Sequence, residues 1–337
     1  MSESSDKPIS RNPPEAVKLL LRQEVGFGCP LPYCRLPFLS FHHFDPPWHK
    51  EHHHRPEGMI ALCVQHHEMA DRGAFDKARL HALKKSDHSV SDVKAKFEWA
   101  RSKQLIRLGG LYASPEGTVL LNRWGNFPAV SMSETDEGLM ELSLVLQDAK
   151  GKRFAEINNN MFQASPPDLF DIDVNAGGTR AKIKVSKSEV ILDLCLRRVT
   201  IEELEKMMRE DWKRWLEFRN ERSKGNPLFR TYQAVYEREL SPSPRLLGGQ
   251  PNLFSPTAVL PSETDSLEYL DSTANFVKQF AIRHLIQDDE FINVLDCDRF
   301  LTYVNNHKCE ANSGVSNGMF GLGFGCILAR KGVGTPQ

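Results

Sequence analysis

The sequence predicts an α+β protein: a small histidine- and cysteine-rich module near the amino end, followed by a mostly β part that carries helices. Three observations point there. Of 12 histidines, eight fall between His42 and His67, next to Cys29, Cys34 and Cys63. From about residue 117 to residue 198 apolar side chains recur at every second position, the period of a half-buried strand. Between Thr200 and Arg222 the period becomes that of a helix.

The chain has 337 residues, material for about two domains at roughly 150 residues each. Hydrophobic residues make up 40% and charged residues 26%, which excludes a disordered or fibrous chain. A net charge of -1 excludes a basic coat over the whole surface, so any affinity for nucleic acid must be local. The polar first residues lack a cationic start followed by an apolar stretch, so no secretory signal is expected. The longest apolar run, 318–329, is glycine-rich and well short of the roughly 20 residues that cross a bilayer. No membrane span and a cytoplasmic location are therefore expected. Seven cysteines, an odd number, argue against a disulfide framework and leave metal binding as their special use.

Taken in order, residues 1–23 read as a tail or helix and residues 24–110 as the histidine-rich module. Inside the latter, Asp76 caps a helix carrying Ala78, Leu80 and Leu83 and ending near Ser86. A second helix is expected from the Ser91-Asp92 cap, with Val93, Phe97, Ala100 and Leu105 on one side. Lys and Arg exceed acids by four between Glu68 and Gly110. Arg72, Lys77, Lys84 and Lys85 are thus candidate nucleic-acid contacts, a solvated helix face being the blander reading. Residues 111–240 read as a β-rich domain: Leu142, Leu144 and Leu146 alternate before a turn at Asp148 to Gly151, followed by Ile183, Val185 and a run from Val190 to Leu196. Thr200 and Glu203 form a capping box for a long helix over 200–222. Its stripe of Ile201, Leu204, Met208, Trp212, Trp215 and Phe218 reads as core packing. Residues 241–266 hold five prolines and a Gly-Gly pair, a linker or irregular loop. Residues 267–337 form a mixed α/β segment, with a helical pattern over 276–286 and a glycine-rich end too irregular to cradle phosphate. Cys195, Cys297, Cys309 and Cys326 stand singly and read as small buried hydrophobes. Asp168, Asp171 and Asp173 with Asn158 to Asn160 lack a calcium-ligand spacing, so turn and strand-edge roles are expected.

Cys29 and Cys34 enclose Pro-Leu-Pro-Tyr, and Cys63 is followed three positions later by His66. Two short pairs, each on a tight turn and separated by a loop or hairpin, are how a chain builds a tetrahedral zinc site. A structural zinc at Cys29, Cys34, Cys63 and His66 follows, with folding free energy supplied by the ion. If Leu62 to Ala70 begins a helix, His66 and His67 diverge by about 100° and serve different sites. His49, His52, His53 and His54 read as a solvated tract.

Three stretches share one order: Cys-Pro-Leu-Pro-Tyr-Cys from Cys29, Phe-His-His-Phe-Asp-Pro from Phe41, and Pro-Glu-Gly-Met-Ile-Ala-Leu-Cys-Val-Gln-His-His-Glu-Met-Ala-Asp-Arg-Gly-Ala-Phe from Pro56. In order, spacing and flanking residues they resemble the HNH endonucleases, over about residues 24–110. The resemblance implies a zinc-braced ββα-metal nuclease module. It implies His43 as the general base and His42 and His67 as ligands of a catalytic magnesium or manganese ion. One departure stands out: Gly58 lies where the family's asparagine would orient the base, leaving His54, Glu57 or a backbone carbonyl as substitutes.

The function expected from this resemblance is a metal-dependent endonuclease acting on DNA, the residues themselves not choosing between DNA and RNA. Residues 111–337 would supply recognition, regulation or assembly as a homo-oligomer or with a regulatory partner, in a setting such as bacterial anti-phage defence. The competing expectation is a catalytically impaired, zinc-braced module that binds nucleic acid or protein. A third makes the β-rich half a ligand sensor with the first module as its output.

Overall fold

The structure is a computed structural model describing residues 9–86, 88, 92–99, 104–108, 111–113, 130–137, 139–223, 291–304, 307–312 and 315–317. In chain order these form α1 (Glu15–Glu24), β1 (Leu39–His43), β2 (Met59–Cys63), α2 (Val64–Asp71), α3 (Lys77–Lys85), β3 (Val93–Lys96), β4 (Gln104–Leu108), β5 (Leu111–Ala113), β6 (Val130–Glu134), β7 (Met140–Gln147), β8 (Arg153–Asn158), β9 (Met161–Ala164), β10 (Asp171–Val174), β11 (Arg180–Lys184), β12 (Val190–Val199), α4 (Ile201–Ser223), β13 (Ile292–Val304), β14 (His307–Asn312) and β15 (Val315–Asn317). Helices and several sheets together make the chain α+β. Among the described residues no helix is long and apolar enough to cross a membrane.

Two compact units interleave along the sequence: Met1–Glu98 with Arg153–Ile191, and Trp99–Lys152 with Leu192–Gln337. The sequence predicts consecutive segments instead. The difference arises because β3 pairs with β9, some seventy residues on, a choice that no local pattern encodes.

In the first unit β1 and β2 form an antiparallel hairpin running in register from Leu39↔Cys63 to His43↔Met59, and α2 leaves directly from its end. This ββα unit is packed by α1 and α3. One core gathers Leu21 and Val25, Leu39 and Phe44, Met59 to Leu62, and Leu80 and Leu83. Asp76 caps α3 as predicted, its carboxylate accepting from the Arg79 N–H at 2.7 Å. The buried Arg22 of α1 donates through Nε and Nη2 to both oxygens of Asp171 on β10, at 2.9 Å each. Asp171 and Asp173 therefore serve an ion pair with Arg22. Asn159 and Asn160, at φ 48° and 62°, make the tight turn from β8 to β9 that needs two residues in the left-handed region.

The helix expected from Ser91 is absent from residues 92–99. Val93 and Ala95 are buried while Lys94 and Lys96 are exposed, so the segment also carries a period of two, and pairing with β9 selects the strand. Leu105, expected on that helix, lies on β4 in the second unit.

There, β13 is flanked by β12 along one edge, and by β4 and then β14 along the other. β7 buries Met140, Leu142, Leu144 and Leu146 in strict alternation before the Asp148 turn, where Lys150 and Lys152 N–H donate to its carboxylate. The capping box of α4 forms in both directions: Glu203 accepts from Thr200 N–H at 2.8 Å, and Thr200 Oγ1 from Glu203 N–H at 3.1 Å. Leu204 and Met208 pack beside Leu105, Val199, Ile292 and Val294. The side chains of Trp212, Trp215 and Phe218 lie outside the described residues, as do 241–266, 276–286 and most of the glycine-rich end.

Candidate functional site

Chain reversal at Cys29 to Leu36 is what sets two thiols side by side. Cys34 N–H donates to Leu31, and Cys29 N–H to Leu36, while Tyr33 and Arg35 adopt φ of 67° and 53° to complete the knuckle. The Arg35 guanidinium holds the approach by donating to the carbonyls of Val25, Gly26 and Gly28. Cys63 ends β2 and is the residue before α2, so His66 returns toward it on the first helical turn. The result is a cluster of four: His66 Nδ1 lies 3.3 Å from Cys29 Sγ and 3.2 Å from Cys63 Sγ, and Cys34 Sγ lies 3.7 Å from Cys63 Sγ. The edges of a tetrahedral zinc site are about 3.8 Å between sulfurs and about 3.6 Å between sulfur and nitrogen. Cys29, Cys34, Cys63 and His66 thus could hold a metal such as zinc. Protons are already unevenly shared: hydrogen bonding from Cys29 pushes the Cys63 thiol down to about 5 and holds Cys29 protonated. A zinc ion would take all three sulfurs as thiolates.

A second cluster lies on another face of the same helix. His42 from β1 meets His67 and Asp71 from α2, and these three also could hold a metal ion. The two imidazole rings are edge to face at 5.3 Å. Asp71 Oδ1 stands 3.0 Å from His42 Nδ1, and Oδ2 stands 3.3 Å from His67 Nδ1. At that distance the two atoms are placed either to hydrogen-bond or to share an ion. Burial, then the neighbouring His67, lowers the basicity of His42, with Asp71 opposing. Sequence reasoning missed Asp71. The available signal was its position four residues after His67 on a helix, which puts both on one face.

His43 does not join this cluster. Neighbours on a strand point to opposite faces, and its ring packs against Trp48, His53 and His54. It is 3% exposed, and neither ring nitrogen reaches a hydrogen-bond partner at full geometry. Burial is the chief reason that its pKa is pushed down to about 4, with the His53 and His54 rings and Arg11 adding to the effect and the His53 backbone opposing it. Arg11, in the segment before α1, also depresses His42, so its charge reaches both rings.

Two expectations need correction here. His53 is not part of a solvated tract: it is buried, its Nε2 bonds the Pro46 carbonyl at 2.8 Å, and its Nδ1 accepts from Arg55 N–H at 3.1 Å. Lys84 is not available to nucleic acid, because its ammonium is spent on Glu24 and on the carbonyls of Pro56 and Met59. Lys77 is tied to Asp45 at 2.6 Å and Arg72 to Glu68 at 2.7 Å, both on the surface, whereas Lys85 stands exposed. As for Gly58, a Cβ there would fall 2.0 Å from the Asp45 carbonyl oxygen and 3.0 Å from the His53 ring, so no asparagine fits.

No protein-family model, no curated protein and no solved structure matches this chain.

Proposed function

We propose that the first module is an HNH-type, metal-dependent endonuclease that hydrolyses phosphodiester bonds of DNA. The observation that carries this reading is the meeting of His42, His67 and Asp71, with His43 next along β1 but on its other face, on a ββα unit whose helix also contributes to a cysteine-rich cluster. Two nitrogens and a carboxylate would hold magnesium or manganese, manganese suiting the mixed donors better. When bound, such an ion neutralises charge on the scissile phosphate and on the leaving 3′ oxygen. His43, kept neutral by burial, accepts a proton from the attacking water as the oxygen bonds to phosphorus and the bond to the 3′ oxygen breaks. The 3′ oxygen then takes a proton from solvent. Arg11 and Lys85 add positive charge for the flanking phosphates. Residues 111–337 would control the nuclease, in a setting such as bacterial anti-phage defence.

A second reading has its own observation: Gly58 provides no amide to orient the base, as a module that grips nucleic acid without cutting would tolerate. Plasmid nicking in magnesium or manganese separates the two. Under the nuclease reading His43→Ala lowers the rate by about 10²–10⁴-fold, the usual worth of a general base, while zinc content is retained. Absence of cutting by the wild type in either metal, with DNA still bound, establishes the second reading instead.

A further inference from the structure

The His43 imidazole is buried with no full hydrogen bond on either nitrogen, and what surrounds it is aromatic. Trp48 lies against it at 4.7 Å with 58° between the planes, His53 meets it edge to face at 5.4 Å, and His54 is tilted at 5.8 Å. Trp48 is itself steadied. His52 stacks on the indole at 4.6 Å and 14°, and His54 at 5.5 Å and 26°. His53 is fixed at both nitrogens by backbone groups, and its ring, together with the Asp45 carbonyl, fills the space beside Gly58. An imidazole whose polar contact, with the His53 backbone, falls short of a full hydrogen bond can still turn about its terminal torsion, which has broad wells. Ring contacts from several sides remove that freedom, since aromatic pairs favour particular offset or edge-on arrangements.

We propose that Trp48 is a positioning residue, its indole braced by His52 and His54 so as to hold the His43 imidazole in one orientation, where a side-chain amide at position 58 has no room. This rests on the nuclease reading and specifies how its base is aimed. The loop thereby has a reason to be rich in histidine: His53 and His54 line the His43 ring, and His52 backs the indole that faces it.

The test uses the full zinc-loaded chain with Trp48→Ala and Trp48→Phe. Misplacing a reacting group by an ångström costs about 10²-fold, so Trp48→Ala is expected to lower kcat by about that factor with KM unchanged. Trp48→Phe, which keeps a flat ring, restores most of it. Independently of activity, the His43 Cε1–H proton resonance, assigned with His43→Gln, carries a ring-current shift from the indole. The shift disappears in Trp48→Ala and persists in part in Trp48→Phe. Zinc content and circular dichroism report folding. Should Trp48→Ala fail to hold zinc, His52→Ala removes the exposed brace and is expected to broaden the same resonance and lower kcat. A cutting wild type whose kcat survives Trp48→Ala, or whose His43 resonance ignores the indole, overturns this inference alone. A wild type that cuts nothing overturns the nuclease reading and the positioning role with it.

Discussion

Asp71 and Gly58 show what a single residue contributes to the candidate site. Asp71 holds no buried position, and an exposed helical acid is ordinarily just solvated. Its meaning comes from two imidazole nitrogens within 3.0 and 3.3 Å of its oxygens. Asp71→Asn keeps the size and removes the charge, so manganese affinity should fall by at least about tenfold, as removal of a supporting group at a metal site commonly does. Zinc content should not change. Titration calorimetry with manganese decides this, and unaltered affinity would remove Asp71 from the site. Gly58 is a packing requirement. With a Cβ placed 2.0 Å from a backbone oxygen, Gly58→Ala must displace the chain at Asp45, two residues from His43. Overpacking of this kind typically costs about 1–3 kcal/mol, and the rigidity of the opposing backbone puts this case at the upper end. Urea denaturation reads the destabilisation, and equal midpoints for variant and wild type would refute the clash. His42 and His67, paired through the resemblance, do meet, whereas His43, expected with them, faces Trp48 instead. Asp71, Arg11 and Trp48 were not legible, since only the fold sets what lies beside each.

At the scale of elements, local signals were decisive where the energy is local. The caps at Asp76 and Thr200 hydrogen-bond within their own first turn, so α3 and α4 start where the sequence places them. β7 alternates so strictly that one face is buried whatever its partner. β3 failed for the opposite reason: four residues satisfy two periods, and the deciding hydrogen bonds come from distant β9. Charge counting failed on α3 in a related way. Net positive charge between Glu68 and Gly110 counts Lys84, yet that ammonium bonds Glu24 and two carbonyls and ties α3 to α1 and the hairpin. Lys84→Ala should therefore destabilise the module by about 1–3 kcal/mol, since its acceptors are left without a charged partner. Binding to DNA, measured against salt, should keep its slope. The reverse is expected of Lys85→Ala, where removing one charge that neutralises a phosphate lowers the slope by about one. A flattened slope in Lys84→Ala with stability intact would return this lysine to the nucleic-acid surface.

For the molecule as a whole, the question is what keeps the first module folded. Its apolar core is shared between α1, the hairpin, α2 and α3, and Cys29, Cys34 and Cys63 themselves pack in it. Structural zinc sites contribute about 10–16 kcal/mol in apparent binding free energy near neutral pH. An ion held there would brace the module at two places, since Cys29 and Cys34 lie in the knuckle after α1, and Cys63 and His66 at the junction of β2 with α2. Stripping zinc with a chelator under reducing conditions should unfold this ββα unit. The second unit rests on β12, β13 and α4, whose core includes no metal ligand among the described residues. Hydrogen exchange resolved along the chain tests the difference. Amides of residues 59–71 and 77–85 should lose protection when zinc is removed, and those of 142–146, 192–199 and 294–301 should keep it. Because His42 and His67 ride on the same hairpin and helix, manganese affinity should vanish in step with that protection. A metal-free chain that still shields residues 59–71 would show that the cysteines brace nothing, and the second cluster would have to stand on apolar packing alone.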